Sequence, residues 1–188
     1  QSEKNVIIDL NGKTLNRNLS KNDDDGHVFQ VEKGTLTIRD SSGDNSGIIT
    51  GAYENTGGAI NIYEDATVII EGGTISGNTS DDDGGAIYNK GYLKMTGGVI
   101  RGNHANETGG AIYCANAKAH FDISNVVIRD NYAKNYGGAF NIHLKQDSSL
   151  TGCKIENNES KSDYGGAIYM DASERILTIT DCHIDKNK

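Results

Sequence analysis

The phrase Gly-Gly-Ala-Ile returns along this chain at nearly constant intervals, and that return limits the possible folds more than any other feature. It stands at Gly57-Gly58-Ala59-Ile60, Gly84-Gly85-Ala86-Ile87, Gly109-Gly110-Ala111-Ile112 and Gly165-Gly166-Ala167-Ile168, with Phe140 closing the copy at Gly137-Gly138-Ala139. The first glycines of successive copies lie 27, 25, 28 and 28 residues apart. A repeat of that length marks a stack of similar units, each burying its apolar face against the next. Propeller blades need about 40 residues, and leucine-rich repeats carry a leucine signature that is missing here.

A second phrase travels with the first: an aliphatic residue, two variable residues, then Asn. It occurs at Ile75 to Asn78, Ile100 to Asn103, Ile128 to Asn131, Ile155 to Asn158 and Ile184 to Asn187, with Leu15 to Asn18 as an early copy. Superposing the copies gives apolar columns. One holds Ile70, Met95, Ile123, Leu150 and Ile179; another holds Val68, Leu93, Phe121 and Leu177, interrupted by Ser148. Ile60, Ile87, Ile112, Phe140 and Ile168 form a third. Two-residue alternation between turns rich in Gly, Asn, Asp and Ser predicts two or three short strands per coil and no helices.

The expected fold is therefore all-β: a single-stranded, right-handed parallel β-helix of about seven coils, one domain over residues 1–188. The second coil lacks a Gly-Gly pair and carries an insertion at Asp40 to Gly47, and the first and last coils are incomplete. Both ends read as uncapped, which predicts a fragment of a larger protein whose flanking segments supply the caps. The glycines suit a corner, because glycine accepts positive φ and lets backbones approach closely. The asparagines are expected at another corner, with their amides bonded to neighbouring coils.

Composition agrees with a thin core. The chain has 24 Gly, no Pro, no Trp and 35% apolar residues, but the apolar ones are strictly placed, unlike those of a disordered tract. A formal net charge of −8 argues against nucleic acid or an anionic membrane as partner. No run approaches the roughly 18 apolar residues of a membrane span, and the opening residues do not form a signal peptide.

The paired phrases resemble the GGA[ILV] and FxxN repeats of chlamydial polymorphic outer-membrane proteins. They are also similar to repeats of large bacterial surface proteins with pectate-lyase-like adhesive β-helices, as in Leu93 to Asn103 and the strand Val6 to Leu15. The resemblance implies adhesion or display at the bacterial cell surface, hence an extracellular location and a host or surface protein or glycan as partner.

The same fold carries polysaccharide lyases and hydrolases, so a carbohydrate-active enzyme is the first rival and a passive stalk the second. The polygalacturonase phrases NTD, GHG and RIK are absent, and no catalytic residue is assigned. Acidic runs at Asn22 to Gly26 and Ser80 to Gly85 precede corners, where Asp before Gly reads first as a solvated turn. Whether Asp81, Asp82 and Asp83 hold Ca²⁺ stays open. The histidines His27, His104, His120, His143 and His183 fall on different coils and are expected at the surface, so no metal ligand and no cofactor is assigned. Cys114, Cys153 and Cys182 align with inward columns and are expected as three reduced thiols.

The best candidate for recognition lies beside the Ile60 column. Its outward neighbours are Asn61, Tyr88, Tyr113, Asn141 and Tyr169, with Tyr63, Lys90, His143 and Asp171 two positions on. Tyr88, Tyr113 and Tyr169 combine apolar area with a hydroxyl, which suits protein and sugar contacts. Sheet propensity alone also places tyrosines in such rows. The reading adopted is a non-catalytic adhesin-type or interaction domain.

Overall fold

The computed structural model describes residues 4–115, 118–144, 146–162, 164–171 and 175–188. Among them every regular element is a β-strand, and the strands pair in parallel. They form three sheets of eleven, seven and five strands. The seven-stranded sheet stacks Thr14–Asn16, Ile48–Thr50, Thr74–Ser76, Val99–Arg101, Val127–Arg129, Lys154–Glu156 and His183–Asp185, one from each successive coil. With the end coils incomplete, the chain makes a β-solenoid of about six turns. The eleven-stranded sheet is bent. Strands Phe29–Arg39 and Ile60–Ile70 cross the bend unbroken, whereas the next coil divides it into Ile87–Asn89 and Tyr92–Met95.

The apolar columns stack in the register that the repeats define. Ile70, Met95, Ile123, Leu150 and Ile179 are successive partners, and the row extends back through Ile38 to Ile8. Leu15, Ile49, Ile75, Ile100, Ile128, Ile155 and Ile184 make the second wall. Phe29, Ile60, Ile87, Ile112, Phe140 and Ile168 make the third. Their central members are fully buried, each worth about 1.5–3 kcal/mol of transfer free energy. Ser148 is buried among them because its hydroxyl oxygen accepts the Phe121 N–H at 3.1 Å. In the last coil Ile179 and Ile184 are exposed.

The two corner glycines do different jobs. Gly57, Gly84, Gly109, Gly137 and Gly165 all have φ between 63° and 69°, a region that costs other residues about 1–2 kcal/mol. The second glycine of each pair is set by proximity instead. A Cβ on Gly58 would lie 2.4 Å from the Gly85 carbonyl oxygen, and one on Gly85 would lie 2.4 Å from that of Gly110. No side chain fits there.

The asparagines form a buried ladder inside the second corner. Asn78 Nδ2 donates to Asn103 Oδ1 at 3.0 Å, Asn103 to Asn131 at 3.0 Å, Asn131 to Asn158 at 2.9 Å and Asn158 to Asn187 at 2.9 Å. Each Oδ1 also accepts the backbone N–H of the ladder position one coil earlier, as Asn131 Oδ1 does from Asn103 N at 3.0 Å. The early copy departs from this pattern. Asn18 is exposed with φ 55°, and the intervening coil has Ala52 at the ladder position, so the ladder begins at Asn78.

Candidate functional site

Three-residue strands leaving the Gly-Gly corner point their first and third side chains inward and their middle one outward, by simple pleat alternation. That places Gln30, Asn61, Tyr88, Tyr113, Asn141 and Tyr169 in one outward row. Tyr88 and Tyr113 lie on adjacent coils, their ring centroids 5.0 Å apart and their planes 19° apart. The separation is close to the roughly 4.8 Å spacing of neighbouring strands, so the rings stack along the rod. Their faces are occupied. Lys90 Nζ lies 5.0 Å from the Tyr88 ring centroid and 5.4 Å from that of Tyr63, a cation–π arrangement. His143 leans on Tyr113 at 5.6 Å. What the pair turns to solvent is ring edges and hydroxyls rather than flat faces.

Tyr169 does not join that pair. Asn141 lies between them in the row and is buried, its Oδ1 without a protein partner. Tyr169 instead packs on Tyr136 at 4.8 Å, and Tyr136 on Tyr164 at 5.4 Å. Sequence reading missed these last two. They occupy the position just before the corner glycines, which stacks as Thr108, Tyr136 and Tyr164. The signal was present, because each immediately precedes a Gly-Gly pair. Tyr136 and Tyr164 are 37% and 58% exposed, the most open tyrosines on this side.

The electrostatics keep the phenols neutral. Burial, with the carboxylates of Asp83 and Asp82 behind it, pushes the Tyr88 hydroxyl above its ordinary range. Burial and then Asp83 do the same to Tyr113. Burial also raises Asp83 itself, whose Oδ1 accepts the Thr108 hydroxyl at 2.6 Å. Both tyrosines therefore offer O–H donors beside an acidic loop.

The acidic runs are tied into the scaffold. Asp81 accepts from Asn22 Nδ2 at 2.6 Å, the Tyr53 hydroxyl at 2.9 Å and Asn106 Nδ2 at 2.8 Å. Asn22 thereby links the two Asp-rich loops, which strand spacing alone puts two coils apart. Among the described residues no three His, Cys, Asp or Glu side chains gather as a metal-binding group. The histidines divide into two kinds. His120 stacks on Tyr92 at 4.4 Å and His104 on Tyr132 at 4.6 Å, on other faces of the rod. His27, expected at the surface, instead has a side chain only 7% exposed that faces Glu54; a coil without the glycine pair leaves room for an imidazole in the corner. All three cysteines are free, Cys114 and Cys153 buried and Cys182 partly so.

The geometry defines a class: a parallel β-solenoid repeat module with stacked side-chain rows on its faces. Residues 72–90 and 97–115 match the Chlamydia polymorphic membrane protein repeat. Each matched stretch contains one aliphatic-x-x-Asn phrase and one Gly-Gly-Ala-Ile corner, and the two carry Tyr88 and Tyr113 respectively. The similarity to these repeats thus rests on the coils that hold the stacked pair. No curated protein and no solved structure matches the chain.

Proposed function

We propose that this rod is a non-catalytic, adhesin-type interaction module at a bacterial cell surface, and that Tyr88 and Tyr113, with Tyr136, Tyr164 and Tyr169 further along, form its contact face. The observation that carries this reading is the Tyr88–Tyr113 stack at 5.0 Å, flanked by Lys90 and His143. Side chains already fixed by stacking lose little entropy when a partner arrives. Hydroxyl edges favour a hydrogen-bonding partner such as a protein surface over sugar rings stacked on aromatic faces. The net charge of −8 favours a neutral or basic one through steering.

The test is a binding screen against host extracellular proteins and glycans, repeated with Tyr88→Ala plus Tyr113→Ala. The double variant is expected to keep its fold and lose most binding to any hit. Equal binding by parent and variant would leave the stack as packing only, as the Tyr92–His120 stack on another face illustrates. Incubation with acidic polysaccharides provides the enzymatic control: new reducing ends or unsaturated products would overturn the non-catalytic reading.

A further inference from the structure

The second coil replaces the glycine corner with Asp25-Gly26-His27, and three polar side chains converge beneath it. Glu54 belongs to the inward row Glu54, Ser80, Ala105, Ala133 and Ser160, so every other coil places Ser or Ala where this one buries a carboxylate. The His27 and Glu54 side chains are 7% and 8% exposed. Asn61, 5% exposed, stands between Gln30 and Tyr88 in the row described above. His27 Nε2 lies 3.4 Å from Glu54 Oε2 and 3.4 Å from the Asn61 amide nitrogen, while Asn61 Oδ1 has no partner.

These contacts make poor hydrogen bonds. A charge-assisted N–H to carboxylate bond closes to about 2.7–2.9 Å, and a buried amide oxygen without a donor is costly. The oxygen and nitrogen of an Asn amide exchange places by a flip of the side chain. Turned that way, Asn61 presents its oxygen toward His27 Nε2. Tetrahedral ligands at bond lengths of about 2.0–2.1 Å stand about 3.3–3.4 Å from one another, the separation seen on both edges here.

The surroundings are those of a ligating histidine. His27 Nδ1 lies 2.9 Å from the Gly57 carbonyl oxygen, so the Nδ1–H tautomer donates there and leaves the Nε2 lone pair free, the usual outer-shell arrangement for a metal-bound imidazole. The Thr56 N–H donates to Glu54 Oε2 at 2.9 Å and orients the carboxylate.

The geometry points to a binding site for a first-row divalent cation of the zinc class, held by His27 Nε2, Glu54 Oε2 and Asn61 Oδ1, with a fourth position for water. One imidazole among two oxygen ligands selects Zn²⁺ over Ca²⁺ or Mg²⁺, which take oxygen ligands. The ion fastens the loop carrying His27 to the third coil, doing there what close glycine contacts do at later corners. Because it binds the folded chain, it raises the melting midpoint. The site is independent of the tyrosine reading and survives its failure.

The test is calorimetric titration of chelator-treated, dialysed protein with ZnCl₂, followed by thermal melts and Co²⁺ absorption spectra. One equivalent of Zn²⁺ is expected to bind and raise the midpoint, and Co²⁺ is expected to give the intense visible bands of a tetrahedral site. His27→Gln and Glu54→Gln should weaken binding by roughly 100-fold or more, at or beyond the upper end of what lost outer-shell partners cost. The exposed-residue control His183→Gln should leave it unchanged. Asn61→Asp separates a metal site from a hydrogen-bonded cluster: without metal the added carboxylate lowers the midpoint, and Zn²⁺ should then raise it by more than in the parent. Absence of one-to-one binding, binding retained in His27→Gln, or no larger Zn²⁺ response in Asn61→Asp would each overturn the proposal.

Discussion

The α-carbon of Gly110 faces the carbonyl oxygen of Gly138 so closely that a methyl group on it would lie 2.3 Å away. Backbone meets backbone here, so neither side has a rotamer to yield. Gly110→Ala is therefore expected to destabilise the rod by about 3 kcal/mol, at the upper end of overpacking costs. Gly43, with φ 80° but open space around it, should cost only about 1–2 kcal/mol as Ala, the conformational penalty alone. Urea melts of the two variants separate close approach from backbone conformation.

Asn131 offers a sharper test of the ladder. Its Nδ2 donates to the Ile100 and Arg129 carbonyls and to Asn158 Oδ1, while its Oδ1 accepts from Asn103. Asn131→Ala strands buried partners on both sides and should cost roughly 3 kcal/mol, with each unmet group worth about 1–3. Asn131→Asp, nearly the same shape, should be worse. It puts a carboxylate among three acceptors, so its midpoint is expected to fall below that of the Ala variant at neutral pH.

Tyr92 gives the pH dependence. Burial, then the hydrogen bond its hydroxyl donates to Asp122 Oδ2 at 2.8 Å, pushes its phenol up to about 12 from an ordinary 10.0. A folded-state value raised above the unfolded one stabilises the fold fully below pH 10.0, and that contribution fades as pH climbs toward about 12. Parent protein should lose stability through that alkaline window, and Tyr92→Phe should lose less. Phenolate absorbance and melting midpoints against pH check both.

The thiols should differ in native reactivity. Burial pushes Cys114 up to about 12, so little thiolate forms near neutral pH. Cys182, partly exposed near the last coil, should react first with Ellman reagent. Three equivalents are expected in denaturant, and fewer would reveal a disulfide.

How much of this was legible depended on what repeats. Ile100, Ile128 and Ile155 could be placed because each opens the same aliphatic-x-x-Asn phrase, and the repeated Gly-Gly-Ala-Ile corner put Tyr113 beside Tyr88. It could not show that their rings would stack along the axis and spend their faces on each other. Nor could it show that Asn141 sinks below the surface and parts Tyr169 from them. Tyr136 and Tyr164 were readable but sit in the loop position, where alignment carries no inside–outside alternation. His27 and Glu54 were not readable. The insertion at Asp40 to Gly47 and the missing glycine pair break the count in the one coil where they meet, and Glu54 occupies a row that elsewhere reads Ser or Ala.

In the asparagine ladder every side-chain amide donates in one direction, from Asn78 toward Asn187, and every step joins an Nδ2 to an Oδ1. Nothing in such a handover depends on which coil gives and which receives. Excising one whole turn, or duplicating one, joins a donor to an acceptor of the same kind and leaves every remaining neighbour in register. Length is thus a free variable of this scaffold: its reach changes one rung at a time without a new kind of contact in the ladder.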